Sequence, residues 1–390
     1  MSERIDRIAA AAERYVNSGS FSSIEWAVDV DGHALSAGKF GKADQEAGTE
    51  IADGALYRIY SMTKPVISVL ALQLIEQGRL RFTDILPQFD ERFGRMVVLT
   101  SDGQIQQAQR PITVEDLLTH RAGFTYEFIH GCHIAQYYRE AKVSYNDDSL
   151  DEMMGRLSTL PLGFHPGQSY GYGVSTDVLA HVIERATGSD VGTLLAEHIF
   201  GPLGMKDTAY HVPQEKQSRL VKMYGREGFL NPPAITLPGK QELVPVDVLP
   251  YYPVNKKTFR RGGIGLYSTL ADYRKFAAMM LDGKSPDGDI LLSRKMVEMM
   301  SANRIPERLQ PLWPGIMEGY GWGLVGRLLI DQGRTTNLSG VGEFGWAGGA
   351  STFFWVDPKE RMTGVILTQY LGSWLPLAND LRTAAYQALT

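Results

Sequence analysis

The 390-residue chain contains a single cysteine, Cys132. One thiol excludes an intramolecular disulfide and agrees with a reducing compartment. Long apolar runs are missing too, so no segment is expected to cross a bilayer. The opening MSERIDRIAAAAERYVNSG spaces charges among its apolar positions, where a signal peptide would have a basic start and a continuous apolar core. It reads as an amphipathic helix, and a cytoplasmic location is expected. Positive charge is not in excess. The formal net charge of -5 gives no support for a nucleic-acid partner or an acidic membrane. There is no G-x-S-x-G, so a nucleophile-elbow hydrolase is not expected. The glycines Gly262, Gly263 and Gly265 are followed by neither GKS nor GKT, and no dinucleotide pattern frames them. His130-Gly131-Cys132-His133 gathers possible metal ligands but lacks a fourth at a recognisable spacing. A surface role near a cleft is the plainer reading, and no metal or other cofactor is expected.

What the chain does have is concentrated between Tyr57 and Leu80, in LYRIYSMTKPVISVLALQLIEQGRL from Leu56 on. Val66, Val69, Leu70, Leu72, Leu74 and Ile75 recur at helical spacing until Gly78, which tolerates the left-handed turn that ends a helix. The pattern predicts a buried helix starting at or just after Ser61, with Pro65 near its first turn, where a missing N–H matters least. Positions three apart share a face, so the Lys64 amine can reach the Ser61 hydroxyl. A serine becomes a usable nucleophile when a neutral base takes its proton. Burial and the positive end of a helix both disfavour an ammonium there. The plain alternative is an N-cap serine followed by a surface lysine. A second S-x-x-K, Ser36 and Lys39, lies in a segment that reads as strand and turn, where residues three apart face opposite ways. It is a decoy.

The rest of the chain frames this helix. Ser23–Asp31 and Ala34–Phe40 cluster apolar residues around Asp31-Gly32, a hairpin signal. Helices are expected from Thr113, over Asp147–Leu160, over Val174–Ala186 and over Asp190–Phe200, and the middle of the chain is mainly helical. From 212 to 260 the sequence is proline-rich and irregular, and a stretch of that length is more often functional than idle. Its Tyr251, Tyr252 and Phe259 either line a pocket or pack onto the surface. A helix capped by Ser268 or Thr269 and ended by Gly283 follows. Strands are expected over Gly323–Ile330, Ser351–Val356 and Thr363–Gln369, then a closing helix to Thr390. A length of 390 residues suits one large or two medium domains.

A Ser–Lys pair needs a proton shuttle and two N–H donors for a developing oxyanion. In HPGQSYGYGVSTDVLA, Tyr172 precedes a helix and can act as acid and base beside an ammonium, or be a buried aromatic with a satisfied hydroxyl. In FGWAGGASTFFWVDP, Gly348 and Gly349 precede an apolar strand, allowing close backbone approach to a ligand, or forming an ordinary turn. Tyr126 and Phe128 either line an acyl pocket or belong to the core.

These stretches, in this order, resemble the serine β-lactamase and penicillin-binding-protein superfamily, and within it the class C β-lactamase-related esterases, the family VIII carboxylesterases. The resemblance takes in Ser61-Met62-Thr63-Lys64, LLTHRAGF from Leu117, PGQSYGYG from Pro166, GPLGM from Gly201, GGIGLYSTLADY from Gly262, and Trp346-Ala347-Gly348-Gly349. It implies an α/β (α+β) fold, with an antiparallel sheet flanked by helices in a domain of residues 1–85 and 250–390. A mainly helical domain of residues 86–249 would face it across the active-site cleft. It makes Ser61 the acylated nucleophile, Lys64 its base and Tyr172 the proton shuttle. The oxyanion hole would be the N–H groups of Ser61 and Gly349, with Tyr126, Tyr170, Trp346 and Gly348 contacting a small ester. Two departures stand out. Val174 occupies the position of the family's Y-x-N asparagine, and Trp346 that of the K-T-G lysine. Both favour neutral esters over carboxylate-bearing β-lactams or peptides. β-Lactam or D-amino-peptide hydrolysis and acyl transfer are the neighbouring activities, and a sensing module that keeps the fold is the non-enzymatic one.

Overall fold

The computed structural model describes residues 2–129, 131–144, 149–225, 241–249, 251–310, 312, 317–373 and 375–389. Its centre is an eight-stranded sheet built from both ends of the chain. The strands are β1 (Ser23–Val30), β2 (His33–Asp44), β3 (Thr49–Glu50), β4 (Tyr320–Trp322), β5 (Arg327–Leu329), β6 (Phe344–Ala347), β7 (Phe353–Asp357) and β8 (Met362–Leu367). They run in the order β4-β5-β6-β7-β8-β1-β2-β3, and each paired neighbour is antiparallel. The β1–β2 turn sits at Asp31-Gly32, with φ of 51° and 77°, the left-handed pair that a two-residue hairpin needs.

Side chains on β7 alternate between two cores, as a sheet covered on both faces requires. Phe353 and Trp355 pack with Ile8, Ala12 and Tyr15 of helix α1 (Ser2–Asn17) and with the C-terminal helix. Phe354 and Val356 point into the main core, which runs without a break from the sheet through the middle of the chain. Helix α2 (Thr63–Glu76) lies in that main core, and every residue from Thr63 to Leu74 is buried. Gly78, at φ 70°, follows its end.

The middle of the chain supplies α3 (Val114–Leu118), α4 (Leu150–Leu157) and α5 (Ser175–Thr187). Thr113 and Asp116 form a reciprocal cap on α3, and Ser149 and Glu152 do the same on α4. Gly188 at φ 75° closes α5. Helix α6 (Leu270–Asp282) is capped by Thr269 and ended by Gly283, and α7 (Leu377–Tyr386) closes the described chain.

The structure corrects one expected strand. Gly323–Ile330 holds the turn and second strand of a hairpin, with β4 ending at Trp322, β5 beginning at Arg327, and the Gly323 N–H donating to the Gly326 carbonyl. In the irregular stretch, residues 226–240 and 250 lie outside the described residues. Tyr252 and Phe259 are fully buried, with the Tyr252 hydroxyl close to the Leu266 carbonyl, so both pack within the fold. No helix among the described residues is long and apolar enough to cross a membrane.

Candidate active site

Ser61 sits in a single helical turn, Tyr60–Met62, that runs straight into α2. Tyr60 has φ 46°, a left-handed conformation that strains a bulky residue and turns the chain sharply just before the hydroxyl. The turn is held on both sides. Tyr273 donates to the Met62 carbonyl at 2.8 Å, and the Ile59 N–H donates to the Leu266 carbonyl at 3.1 Å. One helical turn on, Lys64 is only 3% exposed, and its Nζ reaches three oxygens. These are Ser61 Oγ at 3.1 Å, Tyr126 Oη at 2.7 Å and the Gly263 carbonyl at 2.9 Å. The decoy pair is separated in the same way that strand geometry predicts. Ser36 accepts from Trp26 Nε1, while Lys39 binds Asp53 and the Ile51 carbonyl.

Tyr172 faces this group from the loop before α5. Its hydroxyl accepts from Trp346 Nε1 at 3.1 Å, and the Lys64 nitrogen lies 4.9 Å from its ring centre. Trp346 is on β6 and packs edge-on to Trp322 at 4.6 Å. Behind them are His120, at 4.9 Å from the Tyr172 ring, and Tyr170, at 5.7 Å from Trp322. Tyr170 therefore stands a layer back from Lys64, and its buried hydroxyl has no hydrogen-bond partner among the described residues. Phe128 is partly exposed and stacks on Tyr126 at 4.9 Å. Val174 is fully buried in the main core.

Gly348 and Gly349 form the turn between β6 and β7. A side chain on Gly348 would collide with the Ile59 carbonyl and Thr352 Oγ1, so only glycine lets this turn close onto the Ser61 segment. A Cβ added at Gly349 would stand 3.4 Å from Tyr60 Cδ1, in ordinary contact with the residue before Ser61.

The electrostatics are set by burial. His120 is pushed well below the usual histidine range, first by loss of water and then by the Lys64 charge. Tyr126 is pushed well up, by burial and then by the nearby Asp177 carboxylate. Asp177, on α5 and 3% exposed, is itself raised by burial, against the pull of Lys64. It accepts the Gly263 N–H at 2.9 Å. The sequence patterns singled out neither His120 nor Asp177. LLTHRAGF contains the first as an unremarked letter, and the second reads as part of the polar face of α5.

The His-Cys-His run is only partly described, since His130 lies outside the described residues. His133 Nε2 bonds the Leu99 carbonyl at 2.5 Å, and Cys132 is a partly exposed free thiol. Among the described residues, Asp90, Asp151 and His181 bring three possible ligand atoms together. Arg92 already spans that group, with 2.6 Å contacts to Asp90 Oδ2 and Asp151 Oδ1, so it is built as an ion-pair network.

A Ser–x–x–Lys pair on a buried helix, two tyrosines at the amine and a glycine turn from an antiparallel sheet define a β-lactamase/transpeptidase-like serine enzyme. The chain belongs to the Beta-lactamase family, whose model matches residues 8–388. Esterase EstB of Burkholderia gladioli is 27% identical over 365 residues, covering 89% of this chain and 86% of EstB. Among solved structures, EstCE1, described as a hydrolase with promiscuous acyltransferase activity, matches with a TM-score of 0.83 at 21% identity, over 98% of this chain and 99% of its own. A family VIII carboxylesterase matches with a TM-score of 0.75 at 18% identity, over 99% of this chain and 98% of its own. The chain is thus a β-lactamase-fold serine hydrolase family member with esterase relatives.

Proposed function

We propose that the protein hydrolyses small neutral carboxylic esters through an acyl-enzyme on Ser61. The observation that carries this reading is the buried Lys64 amine at 3.1 Å from Ser61 Oγ. Neutral Lys64 takes the Ser61 proton as Oγ bonds the ester carbonyl carbon. The N–H groups of Ser61 and Gly349 hold the oxygen that gains charge. When the tetrahedral species collapses, the C–O bond to the alcohol breaks, and the departing oxygen receives the proton through Tyr172. Water then adds to the acyl carbon, its proton passes to the same groups, and Ser61 leaves with its own proton restored. Ester and water become acid and alcohol.

Selectivity for neutral substrates follows from two positions. Trp346 puts an indole where a cation would bind a substrate carboxylate, and it spends its N–H on Tyr172. Val174 is packed in the core, so no amide is present there to hold a β-lactam side chain. An alcohol in place of water as acyl acceptor is the second reading, favoured by the acyltransferase activity in the description of EstCE1. Adding an alcohol and measuring how product divides between acid and new ester tests it.

The main experiment is turnover of a panel of p-nitrophenyl esters, with intact mass after a fluorophosphonate probe and the adduct mapped to a peptide. A single adduct on Ser61, lost in Ser61→Ala, is expected. An adduct elsewhere, or equal turnover by Ser61→Ala, refutes the reading.

A further inference from the structure

Accepting the roles just proposed for Ser61 and Lys64, we infer that Tyr126 and Asp177 act as a positioning pair that aims the Lys64 lone pair at Ser61. The argument is a count of hydrogens. A neutral amine has two N–H bonds and one lone pair, and Lys64 Nζ touches three oxygens. The Gly263 carbonyl can only accept, so it fixes one N–H. The lone pair must then face either Ser61 or Tyr126. It serves as a base for Ser61 only if Tyr126 accepts the second N–H and sends its own O–H elsewhere.

Asp177 is the acceptor we assign to it: no Tyr126–Asp177 hydrogen bond is formed in this geometry, and the pairing requires the two oxygens to close on one another over Gly263. Asp177 Oδ1 is taken by the Gly263 N–H at 2.9 Å. Its Oδ2 and the Tyr126 hydroxyl both lie 2.6 Å from the point a Cβ on Gly263 would occupy, and Lys64 Nζ lies 3.2 Å from the same point. Three polar groups from α2, α5 and the segment after α3 thus converge over one glycine. With Tyr126 turned toward Asp177, the lone pair is left for Ser61. After proton transfer the ammonium has three N–H bonds for the same three oxygens. The buried carboxylate also offsets the charge that forms. Burial and Asp177 together keep the Tyr126 phenol protonated, consistent with an orienting role. The other groups facing this cluster are His120, Tyr172, Tyr210, Glu127 and Arg261.

Two variants and their combination decide it, assayed as kcat and KM for a short and a long p-nitrophenyl ester across pH. Tyr126→Phe leaves one Lys64 N–H without an acceptor, and kcat is expected to fall on the order of 10- to 100-fold with KM nearly unchanged for both esters. Asp177→Asn keeps an oxygen for the Gly263 N–H but turns the other group into a donor. Tyr126 must then donate to Lys64, in competition with Ser61. Turnover is expected to fall at least as far. The double variant removes the competing hydroxyl and is expected to be no slower than Asp177→Asn. Losses that multiply in the double variant, or a Tyr126→Phe effect confined to KM and dependent on acyl length, would overturn the inference. Should Asp177→Asn fail to fold, the kcat against KM behaviour of Tyr126→Phe decides alone. Failure of wild-type enzyme to label at Ser61 sinks the proposed function instead, so the two outcomes are separable.

Discussion

Gly263→Ala is the most direct perturbation of this site. No left-handed backbone is required at Gly263, so alanine meets no conformational barrier there. The difficulty is space. The new methyl would stand 2.6 Å from Tyr126 Oη and from Asp177 Oδ2, where an ordinary contact begins near 3.4 Å. Both oxygens would have to retreat by about 0.8 Å, in a core whose atoms pack at contact distance. A misplacement of about 1 Å at a reacting group lowers turnover on the order of 10²-fold. We therefore expect kcat for p-nitrophenyl butyrate to fall about 30- to 100-fold. Overpacking of this kind destabilises by about 1–3 kcal/mol. Spread over the unfolding entropy of a chain this long, that shifts Tm by only about 1–4 °C. Calorimetry and steady-state kinetics on the same preparation separate the two effects. Turnover within about threefold of wild type, with the methyl visible in a crystal structure, would show that the cluster over Gly263 does not set the geometry of the base.

The remaining predictions concern single groups. Ser61→Ala is expected to lower kcat by on the order of 10⁴ or more, while Ser36→Ala changes turnover little, both read in the same ester assay. Trp346→Phe keeps an aromatic ring but removes the N–H that meets the Tyr172 hydroxyl, and kcat should fall by about 10-fold, the loss of one buried hydrogen bond of about 1.4 kcal/mol. Wild-type enzyme is expected to turn over nitrocefin with a kcat/KM well below its ester value, and a higher β-lactam value would remove the argument from Trp346 and Val174. Glu25 is buried on β1 and its carboxyl is raised to about 7, chiefly by loss of water. The unfolded chain ionises first, so stability falls between the ordinary carboxyl value and about 7 and is level above it. Glu25→Gln should therefore raise Tm relative to wild type at alkaline pH and much less at acid pH. A Tm difference independent of pH would contradict the assignment.

Local signals reached a good part of this structure. Asp31-Gly32, Gly78, Gly188 and Gly283 mark ends that backbone conformation dictates, and each lies where a left-handed residue is needed. The Ser61–Lys64 contact follows from helical spacing alone. The turn within Gly323–Ile330 escaped because the run is apolar but for Arg327, and the turn is bounded by Gly323 and Gly326 with no polar break before it. The roles of Tyr126 and Asp177 depend on proximity between residues far apart in the chain, for which no spacing rule exists. Asp177 has the further disguise of a charged letter on an amphipathic helix, where solvent is the usual neighbour. Burial inverts that expectation, and only packing reveals it.

Helix α2, which continues from the Ser61 turn, is enclosed from Thr63 to Leu74. Segments so enclosed open only when the whole domain does, since no partial excursion exposes them without dismantling their surroundings. Heat inactivation should then coincide with the cooperative melting of the protein, and amide protons along this helix should be among the slowest in the chain to exchange.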